Sequence, residues 1–215
     1  MKVLFATKVW SGDLNKFLRG AFERKVDGCG FNFADRWLMI NNGIPCRAVD
    51  DLRISGKKII VADHAQETLD YFGLTEDSFE GGYVYSIAEL VCLYLAKDFD
   101  YLVWVQGDCL LEQSNSSFAG DAIAELIGEV STVAPLSNCN GYHDKNGLDH
   151  FFSDQCYVVK VPEYRQKIYG LTAPVLPEYP PHGGSSFERM VGRYLHTSKR
   201  YRKILTNYYV HHEAY

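Results

Sequence analysis

At 215 residues, 47% hydrophobic and 23% charged, the chain is long enough for one α/β domain with a full core, and its composition excludes a disordered or low-complexity protein. A net charge of −5 excludes a whole-molecule attraction to nucleic acid or anionic membrane, so a polyanion partner would need a local basic patch.

Val3–Thr7 is a short apolar run that breaks into Trp10-Ser-Gly-Asp13, a first strand and its loop. Asp13 then caps a helix whose apolar positions, Leu14, Phe17, Leu18, Ala21 and Phe22, recur at three and four. Trp37–Ile40 is a second strand closed by the turn Asn41-Asn42-Gly43, and Lys58–Ala62 is a third that ends at Asp63-His64. Ile87, Leu90, Val91, Leu93, Tyr94 and Leu95 predict a helix from Ser86. It feeds an apolar run from Tyr101 that stops on Gln106-Gly107-Asp108. Asp121 opens a helix through Leu126 and Ile127, Val130–Pro135 is a strand, and Cys156–Val161 is another, stopped by Pro162. Helix-length segments between short apolar runs predict a single α/β domain with a mostly parallel, Rossmann-like sheet and helices on both faces. Two connections are turn-rich, Gly141–His150 and Leu171–Gly184. The second, with Pro174, Pro177, Pro180 and Pro181, is long enough to be a functional loop.

The six cysteines, at 29, 46, 92, 109, 139 and 156, are scattered without a C-x-x-C pair, which argues against a zinc knuckle or a dithiol redox motif. The opening run Met1–Lys8 is too short for a secretory leader, and no run approaches the ~18 apolar residues of a membrane span. The expectation is a protein kept in the reducing cytoplasm.

An acidic residue at the C-terminal end of a buried strand stands where open α/β sheets hold ligands. Asp108 is such a residue, and the chain closes on a second apolar run, Tyr208-Tyr-Val-His211-His212. A carboxylate with an imidazole leaves positions on a divalent cation for substrate phosphate, which points to nucleotide-diphosphate chemistry. The competing reading is a turn aspartate and a surface tail.

With these motifs in this order, the sequence resembles the nucleotide-sugar-dependent glycosyltransferases of the GT-A fold. The resemblance implies that Ala6, Thr7 and Lys8 end the first strand at the nucleotide pocket. It also implies that Gln106-Gly107-Asp108 stands where the family's D-x-D motif binds a divalent metal and the donor diphosphate, with the first carboxylate missing and the last kept. A C-terminal histidine would complete the metal site. Neighbouring strand residues point to opposite faces, so one imidazole reaches the metal; His211 is favoured and His212 is the alternate. The acceptor-site base of inverting members is implied at Glu188, at the start of a helix capped by Ser185 or Ser186, with Asp154 as competitor. The competing reading of Glu188 is a first-turn glutamate stabilised by the helix dipole.

What the resemblance implies is sugar transfer from a nucleoside-diphosphate sugar, a UDP-sugar foremost, to an acceptor hydroxyl, with Mn²⁺ or Mg²⁺ and an inverting mechanism in which the base takes the acceptor proton. Residues 1–112 would form the nucleotide-sugar-binding half, and 113–215 the acceptor half with the C-terminal metal ligand. The acceptor would be a glycan, a small molecule or a modified base in phage DNA. Gln106 can bond a ribose hydroxyl but supplies no charge, which keeps open a non-catalytic nucleotide-sugar-binding module. A nucleotidyltransferase of similar fold is the other alternative, although Thr7–Asp13 offers it only Lys8 and one glycine.

Smaller expectations attach to Gly81-Gly82, where backbone can approach a nucleotide, and to Asp63 and His64 as base or ribose contacts. His143 and Asp144 are loop candidates for the acceptor, and Trp10 and Trp37 read as core. The basic segment Lys199–Lys203 would clamp a diphosphate or track nucleic acid, or else be a solvated helix end.

Overall fold

The structure, a computed structural model, describes residues 1–10, 17, 19–41, 52–112, 115–137, 147–170 and 186–212. The Asp13 cap with Leu14 and Leu18, the Asn42-Gly43 turn, Cys46, Cys139, His143, Asp144, the 171–184 loop and Ser185 lie outside the described residues.

Strand β1 (Val3–Val9) is almost continuously buried, as a strand covered on both faces must be. It pairs in parallel with β2 (Asp35–Ile40) on one side and β4 (Tyr101–Val105) on the other, and β3 (Lys57–Ile60) adds in parallel beyond β2. Past β4 the sheet is mixed. Strand β8 (Cys156–Lys160) runs antiparallel to β4 and to β6 (Val130–Ser137), and the long β9 (Tyr201–His212) runs parallel to β6. Strand β5 (Cys109–Leu111) and the two-residue β7 (Leu148–Asp149) lie antiparallel to β9. The order is β3-β2-β1-β4-β8-β6-β9-β5, with β7 also on β9. The α/β class follows the sequence reading.

Helices cover both faces. On one, α1 (Ala21–Gly28) and α4 (Phe118–Glu125) enclose Phe5, Val103, Val105 and Val158. On the other, α2 (Ala65–Phe72), α3 (Tyr83–Leu95) and α6 (Ser186–Thr197) enclose Leu4, Ala6, Trp37, Trp104 and Tyr157. Helix α4 starts earlier than the sequence suggests: the Ser117 hydroxyl accepts from Gly120 N at 3.0 Å, satisfying an amide that the helix leaves open. Asp121 sits in the first turn and accepts from the Tyr208 hydroxyl. Pro162 stops β8 and then occupies the first turn of the short α5 (Val161–Tyr164), where its missing N–H costs nothing.

The basic segment is largely the start of β9, and Arg200, Arg202 and Lys203 pair with Glu163, Asp149 and Glu125. Arg202 is 2% exposed and grips Asp149 through two bonds, Nε to Oδ1 at 2.9 Å and Nη2 to Oδ2 at 2.6 Å. Lys203 pairs with Glu125, and Arg200 donates to Gly128 O at 2.7 Å. A guanidinium that leaves water needs such a bidentate carboxylate. Cys29, Cys92, Cys109 and Cys156 are free and buried. No helix among the described residues is long and apolar enough to cross a membrane.

Candidate active site

Alternation along β1 puts Leu4 and Ala6 in the core beneath α3, and Val3, Phe5 and Val9 in the core on the opposite face. Lys8 continues the first row and emerges at a cavity of about 490 Å³. The cavity lies at the C-terminal ends of β1 and β4, the edge at which open α/β sheets take ligands. Strand β1 and its extension give Lys8, Val9 and Trp10, and the end of β2 gives Asn41. The β4–β5 turn gives Gln106, Gly107 and Asp108, and Asp154 comes from the segment before β8. Gly82 and Tyr85 come from the start of α3, and Ser186 and Arg189 from the start of α6.

Lys8 meets a partner that the sequence reading did not single out. Its Nζ lies 3.0 Å from Glu89 Oε1 and donates also to Tyr85 O. Glu89 is 0% exposed, within a stretch of α3, Ser86–Leu93, that is entirely buried. Burial pushes the Glu89 carboxyl up to about 7, against the pull of Lys8. Burial acts to lower the Lys8 pKa, but the negative charges of Glu89, Asp154 and Asp108 outweigh it, and the net shift is upward. A single acid in an otherwise apolar helical run is the sequence signal that could have flagged Glu89.

Asp108 and a C-terminal histidine are brought together. The β5–β9 register sets His212 opposite Cys109, and His212 Nε2 stands 3.0 Å from Asp108 Oδ2. His211 lies opposite Leu110 and pairs with Glu112 instead. Strand alternation therefore separates the imidazoles as expected, with His212 rather than the favoured His211 beside Asp108. No group of three or more metal-ligating side chains occurs among the described residues. One carboxylate oxygen and one imidazole nitrogen fit a shared divalent cation only if the remaining positions come from water and substrate oxygens. Gln106 Oε1 accepts from Trp104 Nε1 at 3.1 Å, and its backbone N–H donates to Gln155 O at 2.7 Å.

The two candidate bases are neighbours with different surroundings. Glu188 Oε1 accepts from the Asp154 backbone N–H at 2.9 Å, and of the two residues it is Asp154 that lines the cavity. The start of α6 is fixed from α3: Phe187 N donates to Ser86 Oγ at 3.0 Å, while Ser186 is already helical and its hydroxyl donates to Phe79 O. Of the two expected caps, Ser186 is thus inside the helix, and Ser185 lies outside the described residues. The close approach of α6 to α3 requires glycine at 82, where a Cβ would stand 2.1 Å from Ser186 Oγ.

Asn41, expected only as a turn residue, lines the cavity with its Nδ2 donating to Val84 O at 2.6 Å and its buried Oδ1 unpaired among the described residues. Such an acceptor awaits a donor. Trp10, expected in the core, is 40% exposed and stacks on Tyr85 at the cavity wall, with centroids 6.2 Å apart and planes 18° apart; it stands at the strand's exit, past the last residue that the helices cover. Trp37 is buried as expected. Ala6 and Thr7 are fully buried inside the sheet, and of the three strand-end candidates it is Lys8 that lines the cavity. Asp63 is exposed on the 3-10 turn Val61–His64, and His64 pairs with Glu67 at 2.6 Å. Neither lines the cavity, because the chain turns directly from β3 into α2.

No protein-family model matches the sequence, and no curated protein matches it by sequence. The fold does match solved structures. The apo form of mouse xyloside xylosyltransferase 1 superposes with a TM-score of 0.57 at 9% identity, over 95% of this chain and 84% of that one. A CMP:2-keto-3-deoxy-manno-octonic acid synthetase complexed with CTP gives 0.52 at 12% identity, over 96% and 90%. Residues 1–349 of S. aureus TarS in complex with UDP-GlcNAc give 0.50 at 12% identity, over 97% and 58%. The chain therefore shares its α/β fold with a xylosyltransferase, a CMP-sugar acid synthetase and a protein that binds UDP-GlcNAc.

Proposed function

We propose that the chain transfers a sugar from a nucleoside-diphosphate sugar, with a UDP-sugar as the first candidate, to an acceptor hydroxyl. The observation that carries this reading is the convergence of Lys8, Asp108 with His212, and Asp154 on one strand-end cavity. The TarS complex with UDP-GlcNAc, a protein of similar fold, supports the choice of donor.

In this reading Asn41 Oδ1 accepts from a ribose hydroxyl or a base N–H, since it is the buried acceptor lining the cavity that has no partner among the described residues. Gln106 holds its amide oxygen on Trp104, which leaves its NH₂ to donate to the nucleotide. Asp108 and His212 would hold Mn²⁺ or Mg²⁺, which when bound would neutralise charge on the departing diphosphate. Asp154 takes the proton from the acceptor hydroxyl as that oxygen attacks the anomeric carbon with inversion. Glu188, bonded to the Asp154 amide, holds that segment against α6 rather than reacting itself. Residues 1–112 then contribute most donor contacts, and 113–215 the base and the second metal ligand.

A second reading, a nucleotidyltransferase, is favoured by the similarity to the CTP-bound synthetase. The two separate in one set of assays. Nucleoside diphosphates are titrated with and without Mn²⁺, UDP-sugars are assayed for hydrolysis, and nucleoside triphosphates for pyrophosphate release. A transferase hydrolyses a nucleotide sugar slowly and leaves triphosphates intact. Pyrophosphate release without sugar-nucleotide turnover would replace the proposal with the second reading, and no nucleotide binding would leave a module of another kind.

A further inference from the structure

We infer that Glu89 is a positioning residue that fixes the Lys8 ammonium as a built-in cation for the donor diphosphate. The inference rests on the nucleotide-sugar reading of the same cavity.

Three observations lead to it. The Lys8 ammonium has three N–H donors; Glu89 Oε1 at 3.0 Å and Tyr85 O engage it, leaving a donor for the cavity that Lys8 lines. The Lys8 side chain is 13% exposed, so its charge acts through a poorly screened medium. Asp108 and Asp154 lie near enough to raise its pKa together with Glu89, which puts the ammonium in the same pocket as the proposed cation-binding and base groups.

Stability alone does not account for the pair. A buried ion pair gains little over an apolar pair of similar volume, whereas removal of one partner strands a charge. Glu89 Oε2 is buried without a hydrogen-bond partner among the described residues, so the carboxylate is not satisfied as a structural network would satisfy it. The arrangement does secure the charge state. A buried lysine without a counter-charge tends toward the neutral amine, while Glu89 keeps it an ammonium and the contact with Tyr85 O fixes its direction. The degenerate motif gives this weight: Gln106 supplies no charge where the resembled family has a carboxylate for the metal, so a protein cation on the diphosphate supplements what the metal contributes.

The test is a phosphate ladder at pH 8, where Glu89 is ionised. Affinities for UDP, UMP and uridine are measured by calorimetry in Mn²⁺ and in EDTA for the wild type, Lys8→Met, Glu89→Gln and the double variant. The double variant leaves no unpaired buried charge and guards against misfolding of the singles. A charge-assisted contact to phosphate predicts that each variant loses on the order of 10- to 100-fold for UDP. Uridine affinity stays within about twofold, and the loss persists in EDTA. Equal losses for all three ligands would make the pair merely structural. Unchanged or tighter UDP binding in Glu89→Gln, or loss only with Mn²⁺ present, would also overturn the inference. A wild type that binds UDP no better than uridine would overturn the nucleotide-sugar reading itself, and the inference with it.

Discussion

Replacing Glu89 by glutamine should flatten the pH dependence of stability between pH 4.5 and 7. Burial raises this carboxyl from 4.5 to about 7 in the folded chain, and unfolding returns it to its ordinary value. The folded state therefore holds the proton more tightly. The resulting stability is full below pH 4.5 and is lost as pH rises through 7. Across that interval the loss is up to ~3 kcal/mol, at ~1.4 kcal/mol per pH unit. Lys8, whose pKa is raised above 10.5 by the surrounding carboxylates, stays charged throughout. With an unfolding entropy of ~2.1 cal/mol/K per residue, ~3 kcal/mol corresponds to ~7 °C in Tm for a chain of this length. Thermal unfolding followed by circular dichroism at constant ionic strength, from pH 4.5 to 8, reads this directly. The wild type should lose up to ~7 °C relative to Glu89→Gln as pH rises. Parallel curves would mean that Glu89 is solvated or fully compensated, and the burial argument would fail.

His212→Ala should remove the Mn²⁺-dependent part of nucleoside-diphosphate affinity, while His211→Ala should leave it within about twofold; equal effects in the same titration would dissolve the Asp108–His212 pair as a metal site. Asp154→Asn should lower single-turnover sugar transfer by ~10²–10⁴ with donor affinity nearly unchanged, as removal of a general base does. Glu188→Gln keeps an acceptor for the Asp154 amide and should cost much less, so a reversed order of losses would return the role to Glu188. Asp149→Asn should destabilise by ~3–5 kcal/mol because it removes the carboxylate charge that the buried Arg202 grips through two bonds, and a chemical-denaturation midpoint close to wild type would count against that pairing.

The amino-acid order determined those features that depend on local burial. A strand covered on both faces must be apolar along its length, so the runs at Val3, Trp37, Tyr101, Val130 and Cys156 were legible, as were the shorter edge run at Lys58 and the helix before Tyr101. The position of Asp108 just past a strand also followed, because open α/β sheets bind ligands there. Partners distant in sequence were not legible. Lys8 and Glu89 are 81 residues apart, and only the packing of α3 over the β1 face joins them. The choice between His211 and His212 depended on the β5–β9 register, which a shift of one residue would reverse. Glu188 stood ahead of Asp154 as the base in the sequence reading, and only the docking of α6 shows its carboxylate turned onto the Asp154 backbone. The basic segment read as a free patch because its counter-charges, Asp149 and Glu125, come from elements that only the mixed half of the sheet brings alongside. Periodicity reports whether a side chain leaves water, and tertiary packing decides which charge it meets there.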